Sequence, residues 1–398
     1  MQIPAFETVA GIPLPPKTVV EGETLYVIHN TQMAEARAYA AKLEVEGYVR
    51  YAAREIPANT ESADLCNLFY TYVREDAHVF VFFAASLHMV YISVKAPGAL
   101  PAPQLPAYEK KAQVSLTQIS ITSGMCYALQ LEDGSFIMMD GGMYFADAED
   151  EKKILSFLEE KAPAGEMPRI ALWMFSHSHV DHVQLATVFL EKYYDKVQLD
   201  AVAFQFPDPN VISFLFEDTK IEKGYIEGLC AAVQKHFPSA LFQTLHTGQL
   251  YRFPGAEMEI LWTADMLFPH TYLTANCASA AWRMKFADGR TALIMGDCMF
   301  DSCRRIAQVY GEYLKSDIFQ VAHHGLLGGD IRLYKLVDPE ICLWPTPKKR
   351  FEGTLEGQQY QWCVGDGDLE FNTWIRDDSI RQRTHYSHGE NVTLFFGM

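Results

Sequence analysis

The chain has 398 residues, of which 49% are hydrophobic and 21% are charged. These proportions are ordinary for soluble globular proteins, the length suits two domains, and no apolar run approaches the roughly 20 residues that a membrane-spanning helix needs. The formal net charge of −17 disfavours a general nucleic-acid binder, because such a protein must neutralise phosphates with lysine and arginine. We therefore expect neither a membrane nor long nucleic acid as a partner.

The first hundred or so residues predict a small α+β domain without any metal-ligand motif. Four strands and one helix are expected, with strands at 24–29, 68–73, 79–84 and 89–94 and a helix at 34–43. The second and third strands predict an antiparallel hairpin, and their alternating aromatic side chains are typical of a core. Residues 96–106 are rich in proline, which indicates a linker. The predicted domains are therefore residues 1–105 and 106–398.

The cellular address is predicted from the first residues and from the cysteines. The start lacks a basic segment followed by an apolar stretch, which is the pattern of a secretory signal. The eight cysteines are dispersed without Cys-x-x-Cys pairs, which indicates reduced thiols rather than a disulfide framework. Both observations favour a cytoplasmic protein.

The densest group of chemically active side chains lies between a strand-like run at 170–175 and a helical pattern at 183–192. Three imidazoles and a carboxylate occur there within six residues: His177, His179, Asp181 and His182. Neutral imidazoles and carboxylates are the donors that hold zinc, iron or manganese. A polar surface loop is the alternative for any one of these residues, but the cluster as a whole predicts half of a two-metal site.

Three further β-prone runs end in residues of the same chemistry. Residues 135–142 end in Asp140-Gly-Gly, residues 291–297 end in Gly-Asp297, and residues 317–325 end in His323-His324-Gly. Helical patterns are expected at 147–158 and 221–236. The late histidines His385 and His388 precede another strand at 392–396 and suit a surface turn.

The spacing His177-x-His179-x-Asp181-His182 resembles the signature of the metallo-β-lactamase superfamily. The runs ending in Asp140 and Asp297 are similar to further parts of that pattern, in the expected order. The final His-His-Gly resembles the competence-protein (ComEC-type) branch. The likeness covers about residues 115–350 and implies an α/β (α+β) fold, a four-layered αββα sandwich, with the small α+β domain in front of it.

The resemblance also implies a site for two divalent metals, with zinc expected first and iron or manganese as alternatives. Its roles are a first metal held by His177 and His179, a second held by Asp181, His182 and His323, a bridge through Asp297, and Asp140 orienting a ligand histidine. One family ligand, in a Gly-His-Thr segment, has no clean counterpart. His270 lies in the right gap between strands, whereas His246 has the local His-Thr-Gly sequence, and both stay open.

The resemblance implies a metal-dependent hydrolase in which two metals share and activate a water molecule. Asp181 is the candidate proton acceptor, and His324, His385 or His388 is the candidate acid for the leaving group. The His-His-Gly likeness favours a small phosphodiester or similar ester as substrate. The alternatives are a thioesterase or lactonase of the same fold, a di-iron oxidoreductase, and a non-catalytic sensor of a metal or nucleotide. The one cationic run, residues 348–350, is expected in a solvated loop.

Overall fold

The structure is a computed structural model that describes residues 3–6, 17–18, 23–59, 64–207, 219–267, 274–326, 328–329, 331–355 and 377–397. Its N-terminal elements are β1 (Lys17–Thr18), β2 (Glu23–His29), α1 (Met33–Val45), β3 (Val49–Pro57), β4 (Cys66–Arg74), β5 (Ala77–Ala84) and β6 (Met89–Lys95). The strands form one antiparallel sheet, the N-terminal sheet, in the order β1-β2-β6-β5-β4-β3. Leu68 lies opposite Phe83 in the β4–β5 pair, which confirms the predicted hairpin.

The remainder of the described chain contains fifteen strands in two sheets. The strands are β7 (Ser115–Gln118), β8 (Tyr127–Gln130), β9 (Phe136–Met139), β10 (Arg169–Met174), β11 (Gln198–Leu199), β12 (Ala201–Phe204), β13 (Leu241–Thr244), β14 (Leu250–Phe253), β15 (Ala256–Trp262), β16 (Ala281–Phe286), β17 (Thr291–Ile294), β18 (Ile318–Gln320), β19 (Ile341–Leu343), β20 (Thr384–Tyr386) and β21 (Val392–Phe395). The helices are α2 (Asp150–Lys161), α3 (Val180–Tyr193), α4 (Thr219–His236), α5 (Phe300–Tyr310), α6 (Ile331–Val337), α7 (Lys348–Leu355) and α8 (Asp378–Arg381).

The two sheets have different strand orders but meet at their inner faces. The first sandwich sheet has the order β13-β12-β10-β9-β8-β7-β21, with β11 pairing beside β10, and the second has the order β14-β15-β16-β17-β18-β19-β20. Strands β9, β10 and β12 run parallel, as do β17, β18 and β19. The last strand, β21, pairs with β7 and forms one edge of the first sheet.

Side-chain alternation explains how these sheets stack. Ile137 and Met139 of β9 face a core shared with Met258 and Trp282 of the second sheet, whereas Met138 faces the helices. Because successive strand residues point to opposite faces, a strand that is apolar on both sides must be covered on both sides. Helices α2, α3 and α4 cover the first sheet, and α5 and α6 cover the second. The expected αββα sandwich is therefore confirmed.

The N-terminal sheet packs on the helical side of the second sandwich sheet. One face of it carries α1 and a core of its own. On the other face, Leu25, Phe82 and Tyr91 share a continuous core with Ile306 of α5 and Leu333 of α6. The aromatic side chains of β4, β5 and β6 are buried, as the alternation predicted. The two units therefore meet through an apolar interface.

Two local features of the structure differ from the sequence analysis. The cationic run at 348–350 begins helix α7 instead of lying in a loop, since Pro347 precedes the first turn and fixes a suitable backbone angle there. Strand β3 was not expected from the sequence, because few of its side chains are buried and they show no clear alternation. The cysteines in the described ranges are all free. None of the helices seen in these ranges has the length and apolar content to cross a membrane.

Candidate metal centre

The predicted ligands gather at one edge of the sandwich, because they follow strands that run in parallel. Asp140 comes directly after β9, and the histidine cluster follows β10 in the same sheet. In the second sheet, Asp297 follows β17, and His323 and His324 follow β18. The carboxyl ends of parallel strands are where α/β folds collect ligand-binding groups.

Asp297 is the focus of the cluster. Its Oδ2 atom lies 3.2 Å from His182 Nε2, 3.3 Å from His324 Nε2, 3.7 Å from His177 Nε2 and 3.9 Å from His323 Nε2. The side chain is 2% exposed, and its Oδ1 atom has no hydrogen-bond partner within the described ranges. One buried carboxylate therefore faces four imidazole rings and keeps one oxygen free for a further contact.

Asp140 fixes the rings on the opposite side of the cluster. Its Oδ2 atom lies 2.6 Å from His182 Nδ1, and its carboxylate also accepts hydrogen bonds from the backbone and hydroxyl of Ser176. The Ser176 hydroxyl oxygen lies 3.0 Å from His177 Nδ1 and accepts from it. Asp140 has a φ of 53°, a strained value for a side chain other than glycine. As expected, it orients a histidine of the cluster.

The arrangement of His182 and His324 calls for a positive charge between them. His324 donates its Nδ1 hydrogen to the Pro345 carbonyl at 2.7 Å, while the Nδ1 hydrogen of His182 points to Asp140. In their neutral forms both rings therefore direct an Nε2 lone pair at the other, at a separation of 3.2 Å. Such a contact is repulsive unless a proton or a metal ion is shared there.

The pKa values of the cluster show the same demand for a cation. Burial lowers the pKa of His324, but the carboxylates of Asp297 and Asp181 outweigh it and raise the pKa to about 10. The pKa of His182 is likewise raised well above its usual value by Asp297, Asp140 and Asp181, against the effect of burial. Burial dominates at His177 and lowers its pKa far below normal, which keeps this ring neutral. His182 and His324 therefore attract positive charge, whereas His177 stays neutral.

The charge balance of the cluster is consistent with a bound metal ion. Within the described ranges, every ion-pair contact of Asp140, Asp181 and Asp297 is made to a histidine, and none to lysine or arginine. Burying carboxylates without cationic partners is costly. A mixed set of imidazole nitrogens and carboxylate oxygens fits divalent zinc, iron or manganese. The donor set therefore fits the metals that the sequence resemblance implies.

The candidate ligands form two groups whose donor atoms all lie within 4.8 Å of one another, namely His177 with His179 and Asp297, and Asp181 with His182 and His324. The structure thus brings together five of the predicted ligands. It differs at the last pair, because His324 instead of His323 completes the second group. His323 was assigned through the resemblance alone. Both residues have left-handed backbone angles, with φ of 51° and 53°, so side-chain alternation of the preceding strand does not extend to them.

His323 lies beside the groups and faces their open side. Its Nε2 atom is 3.3 Å from Asn276 Nδ2 and 3.9 Å from Asp297 Oδ2. Its side chain is 16% exposed, and those of His179 and Asp181 are 20% and 26% exposed. His177 and His182 are fully buried. Among the histidines and aspartates of the cluster, these three are the most exposed in the described part of the chain.

His270 and His246 were the two candidates for the remaining ligand of the first metal. His270 lies outside the described residues. His246 lies in a different group, with Glu23 and Asp265, where the N-terminal sheet meets the sandwich. Its ring stacks on Phe80 of β5 at a centroid distance of 3.6 Å.

The late histidines make backbone contacts. His385 Nε2 lies 3.0 Å from the Ile380 carbonyl, and His388 Nε2 lies 2.8 Å from the Gly124 carbonyl. His385 is part of β20 instead of a surface turn. Hydrogen bonds of this kind hold these imidazoles in place through Nε2, whereas the Nδ1 atoms of both rings have no hydrogen-bond partner within the described ranges.

Two residues that lie beside the cluster were not recognised from the sequence. Glu222 of α4 places Oε1 3.8 Å from His179 Nε2. Asn276 contacts His323, and its Oδ1 atom is buried without a hydrogen-bond partner within the described ranges. A single glutamate in an amphipathic helix and a single asparagine in a loop carry no spacing that could be recognised in advance. Only the packing of α4 and of the loop before β16 reveals them.

Gly296 allows the two halves of the cluster to meet. It has a φ of +52°, and a Cβ atom there would lie 2.6 Å from the Cβ of Ser176. The Gly-Asp pair is therefore required by the close approach of the second sheet to the loop after β10. The adjacent Asp297 amide donates to the Ser279 hydroxyl at 3.1 Å, which fixes the start of its side chain.

Comparisons with known proteins give remote structural neighbours. No family model matches the sequence, and no curated protein matches it either. Among solved structures, the metallo-β-lactamase fold protein YhfI of Bacillus subtilis aligns with 71% of this chain and 100% of its own, at 12% identity and a TM-score of 0.39. The di-iron β-hydroxylase CmlA of Streptomyces venezuelae aligns with 92% of this chain and 79% of its own, at 11% identity and a TM-score of 0.42.

The short form of human tRNase Z aligns with 57% of this chain and 90% of its own, at 11% identity and a TM-score of 0.34. These similarities are low. The layer order described above, and not these alignments, establishes the fold of this chain. The chemistry of the cluster likewise depends on its own residues.

Proposed function

We propose that this protein is a metal-dependent hydrolase of the metallo-β-lactamase superfamily that uses a dinuclear centre. The observation that supports it most is the environment of Asp297, whose single Oδ2 atom faces the Nε2 atoms of four histidines. A carboxylate in that position can bridge two metals. In this proposal, His177 and His179 hold one metal.

The second metal is assigned to Asp181, His182 and His324, in accordance with the observed grouping. His323 then remains near the open side, where it can contact a substrate. A pair of divalent metals supplies Lewis acidity, which polarises an ester oxygen and makes a water acidic enough to attack at neutral pH. The side chains around the centre determine how substrate and protons are handled.

Asp181 is our candidate for proton transfer. It is the most exposed carboxylate of the cluster, and its Oδ2 atom lies 3.2 Å from His324 Nε2. Its Oδ1 atom, which is less closely held, can accept a proton from the attacking water.

The proposed substrate is a small phosphodiester or a similar ester. The His323-His324-Gly325 sequence supports this class through its likeness to the competence-protein branch. The net charge of −17 makes a small molecule a better candidate than a long nucleic acid. Zinc is the first metal to test, since the donors are imidazoles and carboxylates.

The proposal is tested by substituting Asp297. We expect Asp297→Ala to lose bound metal and hydrolysis together, because the substitution removes the carboxylate whose Oδ2 atom faces histidines of both groups. The matched control is Asp301→Asn, an exposed carboxylate in the first turn of α5, which should retain both. Metal is measured by mass spectrometry on dialysed protein, and turnover is measured with bis-nitrophenyl phosphate. An Asp297→Ala protein that keeps its metal and its turnover contradicts the proposal.

The substrate class is tested separately, with a thioester, a lactone and a β-lactam beside the phosphodiester. Preference for the phosphodiester supports the substrate proposed here. A faster reaction with the thioester or lactone supports a hydrolase but contradicts the phosphodiester as its substrate class. Full metal loading without turnover of any ester contradicts the hydrolase and favours a metal-binding sensor.

A further inference from the structure

A second group of buried ionisable side chains lies where the N-terminal sheet meets the sandwich. Across three adjacent strands, Glu23 pairs with Lys95, and Lys95 pairs with His78. Because side chains on one face recur every second residue, this row lies on the same face as Leu25 and Tyr91, which contact the sandwich. The apolar interface therefore becomes polar along one row of the sheet.

The sandwich contributes the other half of this group. His246 follows β13, and Asp265 lies in the short helical turn at Ala264–Leu267 after β15. The donor atoms of Glu23, His246 and Asp265 lie within 4.8 Å of one another, and His246 Nδ1 is 3.7 Å from Asp265 Oδ2. These side chains are 5%, 1% and 6% exposed. We call these three residues the junction cluster.

The ring of His246 is held firmly but without hydrogen bonds. Neither of its nitrogens has a hydrogen-bond partner within the described ranges. Phe80 stacks on the ring. The turn that follows His246 packs against the N-terminal sheet. A Cβ atom at Gly248, which has a φ of +91°, would lie 2.2 Å from Phe69. Packing thus directs an imidazole with two unsatisfied nitrogens at a pair of carboxylates, an arrangement that is costly unless something binds there.

The charges in the group are poorly compensated by the chain itself. Lys95 is the neighbouring cation on the same row of the sheet. Its Nζ atom has no hydrogen-bond partner in the described part of the chain and lies over the Phe80 ring at 5.1 Å. Lys95 therefore does not form a hydrogen-bonded ion pair with either carboxylate.

We propose that Glu23, His246 and Asp265 form a separate binding site for one divalent transition-metal ion, which joins the N-terminal sheet to the sandwich. One imidazole and two carboxylates are a donor set that suits Zn²⁺, Mn²⁺ or Fe²⁺. The ligands are buried and contributed by two units, so the ion would be structural. Gln205 donates to Asp265 Oδ1 at 2.8 Å and holds that ligand from behind. The site makes no contribution to the hydrolysis proposed above.

The most direct test is anomalous X-ray diffraction at the zinc edge from crystals of the full chain grown with Zn²⁺. The proposal expects an anomalous peak enclosed by Glu23, His246 and Asp265, in addition to any peak at the central cluster. This measurement needs no variant, so it does not depend on a substituted protein folding. An occupied central cluster with no peak at the junction cluster overturns the proposal.

A second test uses zinc content in solution. His246→Gln and Asp265→Asn, which preserve much of the side-chain volume, should each hold one zinc fewer per chain than the unsubstituted protein. The matched control is His236→Gln at the end of α4, where the ring stacks on Tyr194 and should bind nothing. Circular dichroism checks that each variant is folded. Folded variants with an unchanged zinc content overturn the proposal, whatever happens at the central cluster.

Lys95 distinguishes a metal from a purely internal charge balance. If zinc offsets the two carboxylates, Lys95→Met should keep the junction zinc, and added zinc should raise its melting temperature. If the ammonium group is the only counter-ion, Lys95→Met loses stability and zinc does not restore it. The second outcome overturns the proposal.

Discussion

The central cluster and the junction cluster are both buried groups of histidines and carboxylates, but their rings are held in different ways. In the central cluster, His177, His182 and His324 each direct Nδ1 to an oxygen acceptor, so their Nε2 atoms converge on Asp297. In the junction cluster, the ring of His246 is positioned only by stacking and close packing. Hydrogen bonds therefore preorganise the first, whereas docking of two units assembles the second.

This difference affects how each cluster responds to change. Ligands whose outer nitrogen is fixed lose affinity when the acceptor is removed, since the ring can then rotate. A ligand fixed by packing responds instead to changes in the interface that carries it. Substitutions in the two clusters should therefore separate into effects on metal affinity and effects on stability.

The largest effect is expected from the pair of adjacent histidines. His324→Ala should lower metal affinity and hydrolysis by more than about a hundredfold, because its loss exceeds that of an outer hydrogen-bond partner. His323→Ala should keep its metal, since His323 lies outside the two ligand groups. Metal content and turnover of bis-nitrophenyl phosphate measure both. Equal metal loss in the two variants contradicts the assignment of His324.

A smaller effect is expected when the acceptor behind a ligand is weakened. Asp140→Asn should lower metal affinity by about 10- to 100-fold, because the amide no longer fixes His182 as a carboxylate does. Asp133→Asn is the control, since Asp133 lies in the turn before β9 and bonds Ser135. Metal titration of dialysed protein measures the affinity. Equal affinities for the two variants show that Asp140 does not preorganise the cluster.

The interface of the N-terminal sheet should respond through stability. Gly248→Ala should destabilise the protein by about 2 kcal/mol, from backbone strain and the clash with Phe69. Gly289→Ala is matched in backbone angle, with a φ of +89° and no atom within 4 Å of a Cβ, so only strain applies there. Urea unfolding followed by tryptophan fluorescence measures both. Equal losses of unfolding free energy in the two variants indicate that the contact with Phe69 contributes nothing to stability.

The smallest effect is expected from a paired charge at the same interface. Arg54 of β3 lies 2.9 Å from Glu259 of β15, and their side chains are 21% and 6% exposed. Arg54→Met should cost about 1 kcal/mol, because the pair is partly screened and Tyr313 still donates to Glu259 at 2.8 Å. The loss is measured by urea unfolding and should shrink at high salt. A loss that is independent of salt indicates packing by the arginine stem instead.

Local sequence predicted much of the central cluster because its ligands are close in sequence or end apolar strands. The predicted run at 170–175 agrees with β10 within one residue at each end, and the run at 291–297 starts with β17 but continues three residues past its end. His177 and His182 come from one short segment, so their proximity needs no long-range information. Which of His323 and His324 joins the second group could not be predicted, since both adopt left-handed backbone angles where the strand ends.

The likeness of its motifs to the metallo-β-lactamase superfamily implied the αββα sandwich. The sequence by itself determined the group of imidazoles and carboxylates at 177–182, because short-range spacing is a local property of the chain. Tertiary structure decided which histidine completes the second group of candidate ligands, and it placed Glu222 beside His179 of the first group. It also decided that Glu23, His246 and Asp265 meet. Contacts between residues far apart in sequence depend on how whole sheets dock, and no spacing in the sequence records that.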